Sequence, residues 1–257
     1  MTDWEVELLG HELDVENLGS LSQPPVWTVR KREKDGRYIL TSAEFAGMSD
    51  AVAVRDYAHK SLLPVLNGAL RLQYPWSLMG RIEIGTGLES EDQQGSRTGH
   101  RVIEQTASIS VTEEITITDG SGNIIAAPAQ SPSIVGMCTA LGHDPTVRTA
   151  LGHFSRGGQW TVDLYKVFEI IRDDAKTGAN KSLDALGWAT LDELDNFRSV
   201  HDPHVTGDLA RHGVHDHQRK PPANPMDENT ARAFIHNLLL NWILYRYQQL
   251  GHSLSTT

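Results

Sequence analysis

Hydrophobic and polar residues alternate in short segments over the first half of the chain and recur at helical spacing over the second half. Alternation is typical of a half-buried β-strand, whereas apolar residues three or four positions apart line one face of a helix. The change falls near residue 135. The pattern therefore predicts an α+β fold, with a small N-terminal α+β domain at 1–135 and an all-α helical bundle at 136–257.

Several short segments of the first half predict strands. The clearest pair, 27–31 and 37–41, flanks Asp35-Gly36, and an Asp-Gly pair between alternating segments is a strong hairpin signal. Strands are also predicted at 4–8, 81–84 and 103–111, with a second hairpin at 115–125 and an exposed polar loop at 89–100. One helix interrupts the strands. It is predicted to begin near Asp50 and to be kinked by Pro64.

Four segments of the second half have the spacing of amphipathic helices. They begin near Asp144, Trp160, Leu191 and Asp227. The last has the broadest apolar face, formed by Ala231, Phe234, Ile235, Leu238, Leu239, Trp242, Ile243 and Tyr245. Four such helices can bury one another as a bundle. The prolines and small residues of 126–133 predict a linker in front of it.

Composition narrows the class of protein. The 257 residues include one cysteine, Cys138, which excludes a disulfide scaffold and a multi-cysteine zinc module. The chain has no apolar run of membrane-spanning length, and its first residues are acidic where a signal peptide would be basic. We therefore expect a soluble, cytoplasmic protein. The net charge of −10 argues against non-specific coating of nucleic acid.

Histidines are concentrated between the third and fourth predicted helices. Five of the 12 histidines lie at 201–217, and the stretch from Arg211 to Lys220 has three cations and one carboxylate. Cleaving RNA without a metal requires a base, an acid and a cation that holds the phosphate. Histidine titrates near neutral pH, and arginine can donate two hydrogen bonds to a phosphate. The segment therefore predicts a small, locally basic site for this chemistry.

The spacing within this segment matches a known motif. Arg211 is followed by the polar His212 and, after five intervening residues, by His217, shortly before the long final helix. A helical bundle with an arginine, a polar residue and a histidine at this spacing resembles the HEPN superfamily. The resemblance covers about residues 140–250. The helix that begins at Trp160 is similar to the acidic inner helix of such bundles.

The resemblance implies a metal-independent endoribonuclease that forms its cleft between two copies of the chain. It implies RNA as the partner, a homodimer, no cofactor, and a role in bacterial stress response or phage defence. By the same resemblance Arg211 holds the scissile phosphate, His217 is the general acid or base and His212 supports the site by hydrogen bonding. Glu169 is the matching carboxylate of the inner helix. The family also contains members that only bind RNA or nucleotides, or only dimerise.

Further contacts to RNA are expected from Arg211, Arg219, Lys220 and His215. His215 also offers a competing register for the functional histidine. On a helix Arg211 and His215 would share a face, whereas Arg211 and His217 would point apart. A loop removes that conflict, and the prolines at 221–222 favour a loop.

Two other interpretations of the segment remain open. Its histidines and aspartates are acceptable metal ligands, although no recognised ligand spacing is present: His204, Asp208, His212, His215, Asp216 and His217. The segment is also compatible with a polar loop without function. The chain would then be a non-enzymatic interaction protein, with the bundle as a dimerisation module and a ligand or protein partner at the N-terminal domain.

Three weaker features predict structure rather than chemistry. Gly85-Thr86-Gly87 lacks the third glycine and the lysine of a phosphate-binding loop. Trp160, Phe234 and Trp242 have the spacing of a bundle core rather than of an exposed RNA-stacking surface. Cys138 lies in an apolar setting, which predicts a buried side chain rather than a nucleophile.

Overall fold

The computed structural model describes residues 3–74, 82–91, 97–101, 133–156, 160–199 and 226–251. Within these ranges the strands are β1 (Asp3–Leu9), β2 (Trp27–Lys31), β3 (Tyr38–Ser42), β4 (Glu83–Glu91) and β5 (Arg97–Arg101). The helices are α1 (Glu12–Ser20), α2 (Ala51–Tyr57), α3 (Leu63–Gln73), α4 (Ile134–Leu141), α5 (Pro145–Phe154), α6 (Trp160–Asp174), α7 (Leu191–Ser199) and α8 (Glu228–Gln249). The strands form one antiparallel sheet in the order β2-β3-β1-β4-β5, so the predicted α+β class is confirmed.

The β2–β3 hairpin forms where the sequence predicts it. Its strands pair with Val29 opposite Leu40, and the amide of Arg32 donates to the carbonyl of Arg37 over 2.7 Å. Gly36 has a φ of +71°, in the left-handed region that favours glycine. Local turn chemistry therefore fixes both the position and the register of the hairpin.

The outer strands depart from the sequence prediction. The prediction of an exposed loop at 89–100 is wrong at both ends, because Glu89 pairs with Glu5 on β1 and with Gly99 on β5. These strands are polar, and the backbone hydrogen bonds of a sheet need no apolar alternation in the side chains. The predicted strands at 103–111 and 115–125 lie outside the described residues.

The Gly85-Thr86-Gly87 sequence forms a bulge in β4. Val6 pairs with Leu88 and Leu8 pairs with Ile84, so three residues of β4 lie opposite Glu7 alone. The Glu7 carboxylate accepts a hydrogen bond from the Gly87 amide at 3.0 Å, and a Cβ on Gly85 would lie 2.7 Å from the Glu7 side chain. The glycines thus make room for a carboxylate that caps the bulge.

The helix predicted from Asp50 is confirmed, and its proline is accommodated by a change of pitch. Asp50 caps α2 by accepting from the Ala53 amide at 2.9 Å. The chain then passes through a π-helical turn, Ala58–Leu62, into α3, whose second residue is Pro64. Proline cannot donate to the preceding turn and its ring crowds the carbonyl there, so a locally widened turn relieves the conflict.

The helices predicted in the second half are present, and α4 is an additional one. Asp144 caps α5 and Asp227 caps α8 through hydrogen bonds to backbone amides, as predicted. α4 is short and almost entirely apolar, so it has no helical periodicity to read. Leu191 does not belong to the predicted apolar stripe of α7, because it is 64% exposed. Among the described residues, no helix is both long and apolar enough to cross a membrane.

Helix α3 contacts both the sheet and the helical half. The buried Asn67 side chain forms two hydrogen bonds with the backbone of Ile82, at 2.9 and 3.0 Å, next to the start of β4. On the neighbouring residue, a Cβ on Gly68 would lie 2.7 Å from Leu151 on α5. One continuous core therefore runs from Trp4 to Ile243. The domain boundary near residue 135 stays a prediction.

An ion-pair cluster joins the far end of α8 to the bundle. Arg246 contacts the carboxylates of both Asp144 and Asp174, and the indole of Trp242 donates to Asp174 over 2.7 Å. Burial opposes ionisation of Asp144, but the amides of Thr146 and Val147 and the charge of Arg246 hold its pKa below the ordinary value. Three separate elements are thereby tied at one point, which we call the Arg246 clamp.

A second ion-pair cluster covers the sheet face opposite the core. Arg32, nearly buried, contacts Glu5, Asp35 and Glu89 at 3.2, 2.5 and 2.8 Å. Its hydrogen bonds to the Asp35 carboxylate lower the pKa of Asp35 to about 2. Each charge is met by an opposite charge, as expected of a face that stabilises the sheet.

Replacing Gly68 with alanine tests the α3–α5 contact. The new methyl group would overlap Leu151, so we expect destabilisation by about 1–3 kcal/mol despite the roughly 1 kcal/mol helix propensity gained. The measurement is chemical denaturation followed by circular dichroism. Gly178→Ala is the matched control, because a Cβ there has no atom within 4 Å. Equal unfolding free energies for Gly68→Ala and wild type would contradict the contact.

Replacing Arg32 with glutamine tests the charged sheet face. Asp35 should titrate with a pKa of about 2 in the wild type and closer to its ordinary value of 3.8 in the variant, as followed by NMR of the carboxyl carbon. The pKa of Asp35 is lower in the folded protein than in the unfolded chain. The ion pair with Arg32 therefore stabilises the fold above about pH 4, and this stabilisation is lost as the pH falls toward about 2. Lys34→Gln is the control. An Asp35 pKa that Arg32→Gln leaves unchanged would refute the assignment.

Candidate functional site

Most of the predicted site lies outside the described residues. These are Arg211, His212, His215, His217, Arg219 and Lys220, together with the alternative metal ligands His204, Asp208 and Asp216. Glu169 is described. It is a half-buried residue in the middle of α6, directly after the fully buried Phe168. The structure therefore describes Glu169 and the helices that pack around it.

An aromatic cluster holds three helices together beside Glu169. The ring of Phe197 on α7 lies 5.3 Å from Phe168 on α6 and 5.1 Å from Phe234 on α8. It also stacks on Tyr165 at 6.4 Å. The end of α7 and the beginning of α8 are thus both packed against α6.

Two arginines lie over the edge of this cluster. The guanidinium carbons of Arg172 and Arg198 are 5.8 and 5.7 Å from the centre of the Phe168 ring. Each arginine also contacts an exposed aspartate, Asp173 at 2.8 Å and Asp195 at 3.3 Å. Exposed ion pairs of this kind contribute little energy and exchange readily with solvent or with another anion. Two guanidinium groups, each paired with an exposed carboxylate, therefore lie near Glu169.

A further group of titratable side chains lies where α5 meets α6. Nδ1 of His153 is 2.9 Å from Oδ1 of Asp163, and both side chains are largely buried, with exposed fractions of 13% and 12%. We call these two residues the His153–Asp163 pair. Nη1 of Arg156 lies 3.7 Å from the same carboxylate oxygen, while the arginine side chain is 51% exposed.

The carboxylate fixes the tautomer of His153. An ionised carboxylate only accepts hydrogen bonds, so Nδ1 must carry the proton. Arg156 Nη1 is also 3.3 Å from Nδ1, but arginine only donates, so with the proton on Nδ1 this approach is a close contact and not a hydrogen bond. In the neutral ring Nε2 then carries a lone pair. No described residue donates to Nε2.

A second histidine near the end of α5 has a different role. Nε2 of His236 on α8 is 3.0 Å from the carbonyl oxygen of Leu72, at the end of α3. Since a carbonyl only accepts, this nitrogen carries the proton and donates. The His236 ring lies 6.3 Å from Phe154. His236 thus satisfies an end carbonyl of α3 and joins α8 to it.

The weaker features of the sequence have structural roles. Cys138 is fully buried, and burial raises the pKa of its thiol to about 12, so it is not a nucleophile. Trp242 and Phe234 are buried in the bundle, and Trp160 is packed against the core, as predicted. The described residues contain no group of three or more histidine, cysteine, aspartate or glutamate side chains that would hold a metal ion.

Sequence reasoning missed the His153–Asp163 pair. The two residues are ten positions apart, and each is unremarkable within its own helix. The available signal was the sequence Ser155-Arg156-Gly157-Gly158, which is typical of a turn between two helices, with a histidine just before it and an aspartate in the first turn of the next helix. Two antiparallel neighbouring helices bring such residues to the same level.

Comparisons with known proteins do not identify a family for this chain. No protein-family model matches the chain, and no curated protein and no solved structure resembles it significantly. The functional argument therefore depends on the residues of this chain.

Proposed function

We propose that the protein is a metal-independent endoribonuclease acting as a homodimer, with a HEPN-like helical half and its site in the segment from Arg211 to His217. One observation carries the proposal. The contacts of Phe197 hold the end of α7 and the beginning of α8 against α6, the helix of Glu169. α7 ends at Ser199 and α8 begins at Glu228, so the described residues on either side of the segment belong to helices that pack against the helix of Glu169, where HEPN proteins often have a carboxylate.

The proposed roles follow from the chemistry of the side chains. Arg211 binds the scissile phosphate through its fixed, permanently charged fork, and His217 transfers a proton to or from the reacting oxygens. His212 hydrogen bonds within the site, and Glu169 orients a cation or an imidazole. His215, Arg219 and Lys220 contact the RNA backbone beside the reacting phosphate.

The guanidinium groups near Glu169 support RNA as the ligand. Arg172 and Arg198 lie on the α6–α7 surface, and Arg198 comes directly before the residue at which α7 ends. Their aspartate partners are exposed, so a phosphate can replace them at small cost. They would offer two cations to the phosphates of a bound RNA near Glu169, within helices that are otherwise mostly acidic.

Cleavage of RNA in EDTA tests the proposed activity. We expect the wild type to cleave single-stranded or structured RNA, and both Arg211→Ala and His217→Ala to be slower by about 100-fold or more, because each removes a group used in the transition state. Glu169→Gln should reduce the rate while leaving the far-ultraviolet circular dichroism unchanged. The readout is the rate of fragment formation on denaturing gels.

The control is His143→Ala, which removes an exposed histidine that lies beside Glu44 and outside the proposed site. Equal cleavage by the wild type and all variants would overturn the proposal, because the activity would then belong to a contaminant. Loss of wild-type cleavage in EDTA would point instead to a metal-dependent hydrolase at the histidine-rich segment. RNA binding without cleavage would identify a non-catalytic binding protein.

A further inference from the structure

The His153–Asp163 pair has more than the contacts needed to join two helices. Linking α5 to α6 requires one hydrogen bond, from Nδ1 of His153 to Asp163, and this bond is present at 2.9 Å. It leaves Nε2 as an acceptor in the neutral ring. This link between the helices does not require a guanidinium, yet Arg156 lies close to both residues.

The charges around the pair are balanced before any ligand binds. Asp163 supplies one negative charge and Arg156 one positive charge, with the guanidinium nitrogen 3.7 Å from the carboxylate oxygen. An incoming anion therefore does not meet an uncompensated carboxylate. Arg156 is half-exposed and has five N–H donors, of which the contact with Asp163 engages only part.

The free groups at this position are one acceptor and several donors. Nε2 of His153 accepts, and the guanidinium of Arg156 donates and is positively charged. Arg156 Nη1 lies 3.3 Å from Nδ1, and a single ring carbon separates Nδ1 from Nε2, so the two free groups are close enough for one anion to span them. The matching ligand is an anion with an O–H group and a charged oxygen on the same centre.

We propose that the His153–Asp163 pair and Arg156 bind the terminal phosphate of a phosphate monoester. One phosphate oxygen shares a proton with Nε2, and a second accepts hydrogen bonds from Arg156. A monoester has its second pKa near 6, so its monoanion, which has an O–H group that can donate to Nε2, is accessible near neutral pH. The internal phosphodiesters of RNA have no such proton. The site is thus distinct from the proposed ribonuclease site and does not depend on it.

Calorimetric titration of the full chain with inorganic phosphate and with sulfate tests the site. At about pH 7 and constant ionic strength, inorganic phosphate keeps an O–H group and sulfate has none. We expect phosphate to bind about tenfold or more tightly than sulfate, because sulfate cannot supply the proton shared with Nε2. Equal affinities for the two anions, or no phosphate binding, would overturn the proposal.

Two variants locate the binding. The amide of His153→Asn can still donate from the Nδ1 position to Asp163, but it has nothing at the Nε2 position. Arg156→Gln removes the charged fork from an exposed side chain. Each should weaken phosphate binding by about tenfold or more, and the far-ultraviolet circular dichroism spectrum checks that each variant is folded. His143→Asn, at an exposed histidine outside the site, should bind phosphate like the wild type.

NMR of the imidazole nitrogens gives a measurement independent of affinity. The imidazole signals of His153 are those that are present in the wild type and absent from His153→Asn. They should show the proton on Nδ1, and addition of phosphate should shift the Nε2 signal. A proton found on Nε2 in the free protein would remove the acceptor and refute the site. If His153→Asn binds phosphate as tightly as the wild type does, the pair only links the two helices and the proposal is wrong. None of these measurements involves RNA cleavage, so they test the phosphate site independently of the ribonuclease proposal.

Discussion

The arrangement of the whole protein depends on two neighbouring residues in α3 that face different layers. Asn67 is buried and binds the backbone of Ile82 beside the sheet, whereas Gly68 lets Leu151 of α5 approach the α3 backbone. The Asn67 amide thus joins α3 to the residue that precedes β4, and the missing side chain of Gly68 lets α5 pack closely against α3 at the same level. Close packing leaves little room to compensate for a displaced helix, so these two contacts together limit how α3 can lie between the sheet and α5.

Elements determined by local chemistry could be predicted from the sequence. The β2–β3 hairpin follows from Asp35-Gly36, and the starts of α2, α5 and α8 follow from Asp50, Asp144 and Asp227 as caps. Elements determined by distant partners could not. β5 is polar and becomes a strand through backbone pairing with β4, and α4 has too few polar residues to show a period.

The candidate sites divide in the same way. The Arg211–His217 motif is contiguous, so it can be recognised in the sequence, although its residues lie outside the described part of the chain. Glu169 was predicted from its helix, and its position beside the aromatic cluster depends on contacts among α6, α7 and α8 that no local pattern contains. The His153–Asp163 pair arises only when α5 and α6 pack. Gly85-Thr86-Gly87 shows the reverse case, a suggestive sequence whose glycines make room for the Glu7 carboxylate.

The Arg246 clamp has a consequence for the order in which the chain is assembled during synthesis. Asp144 and Asp174 are made long before Arg246, and Trp242 fills the core between them. Until the ribosome has released the last turns of α8, both carboxylates lack their cation and the apolar faces of α5 and α6 lack their cover. The helical half therefore cannot complete its packing until about 70 residues after Asp174 have been added, so this part of the fold closes late in synthesis.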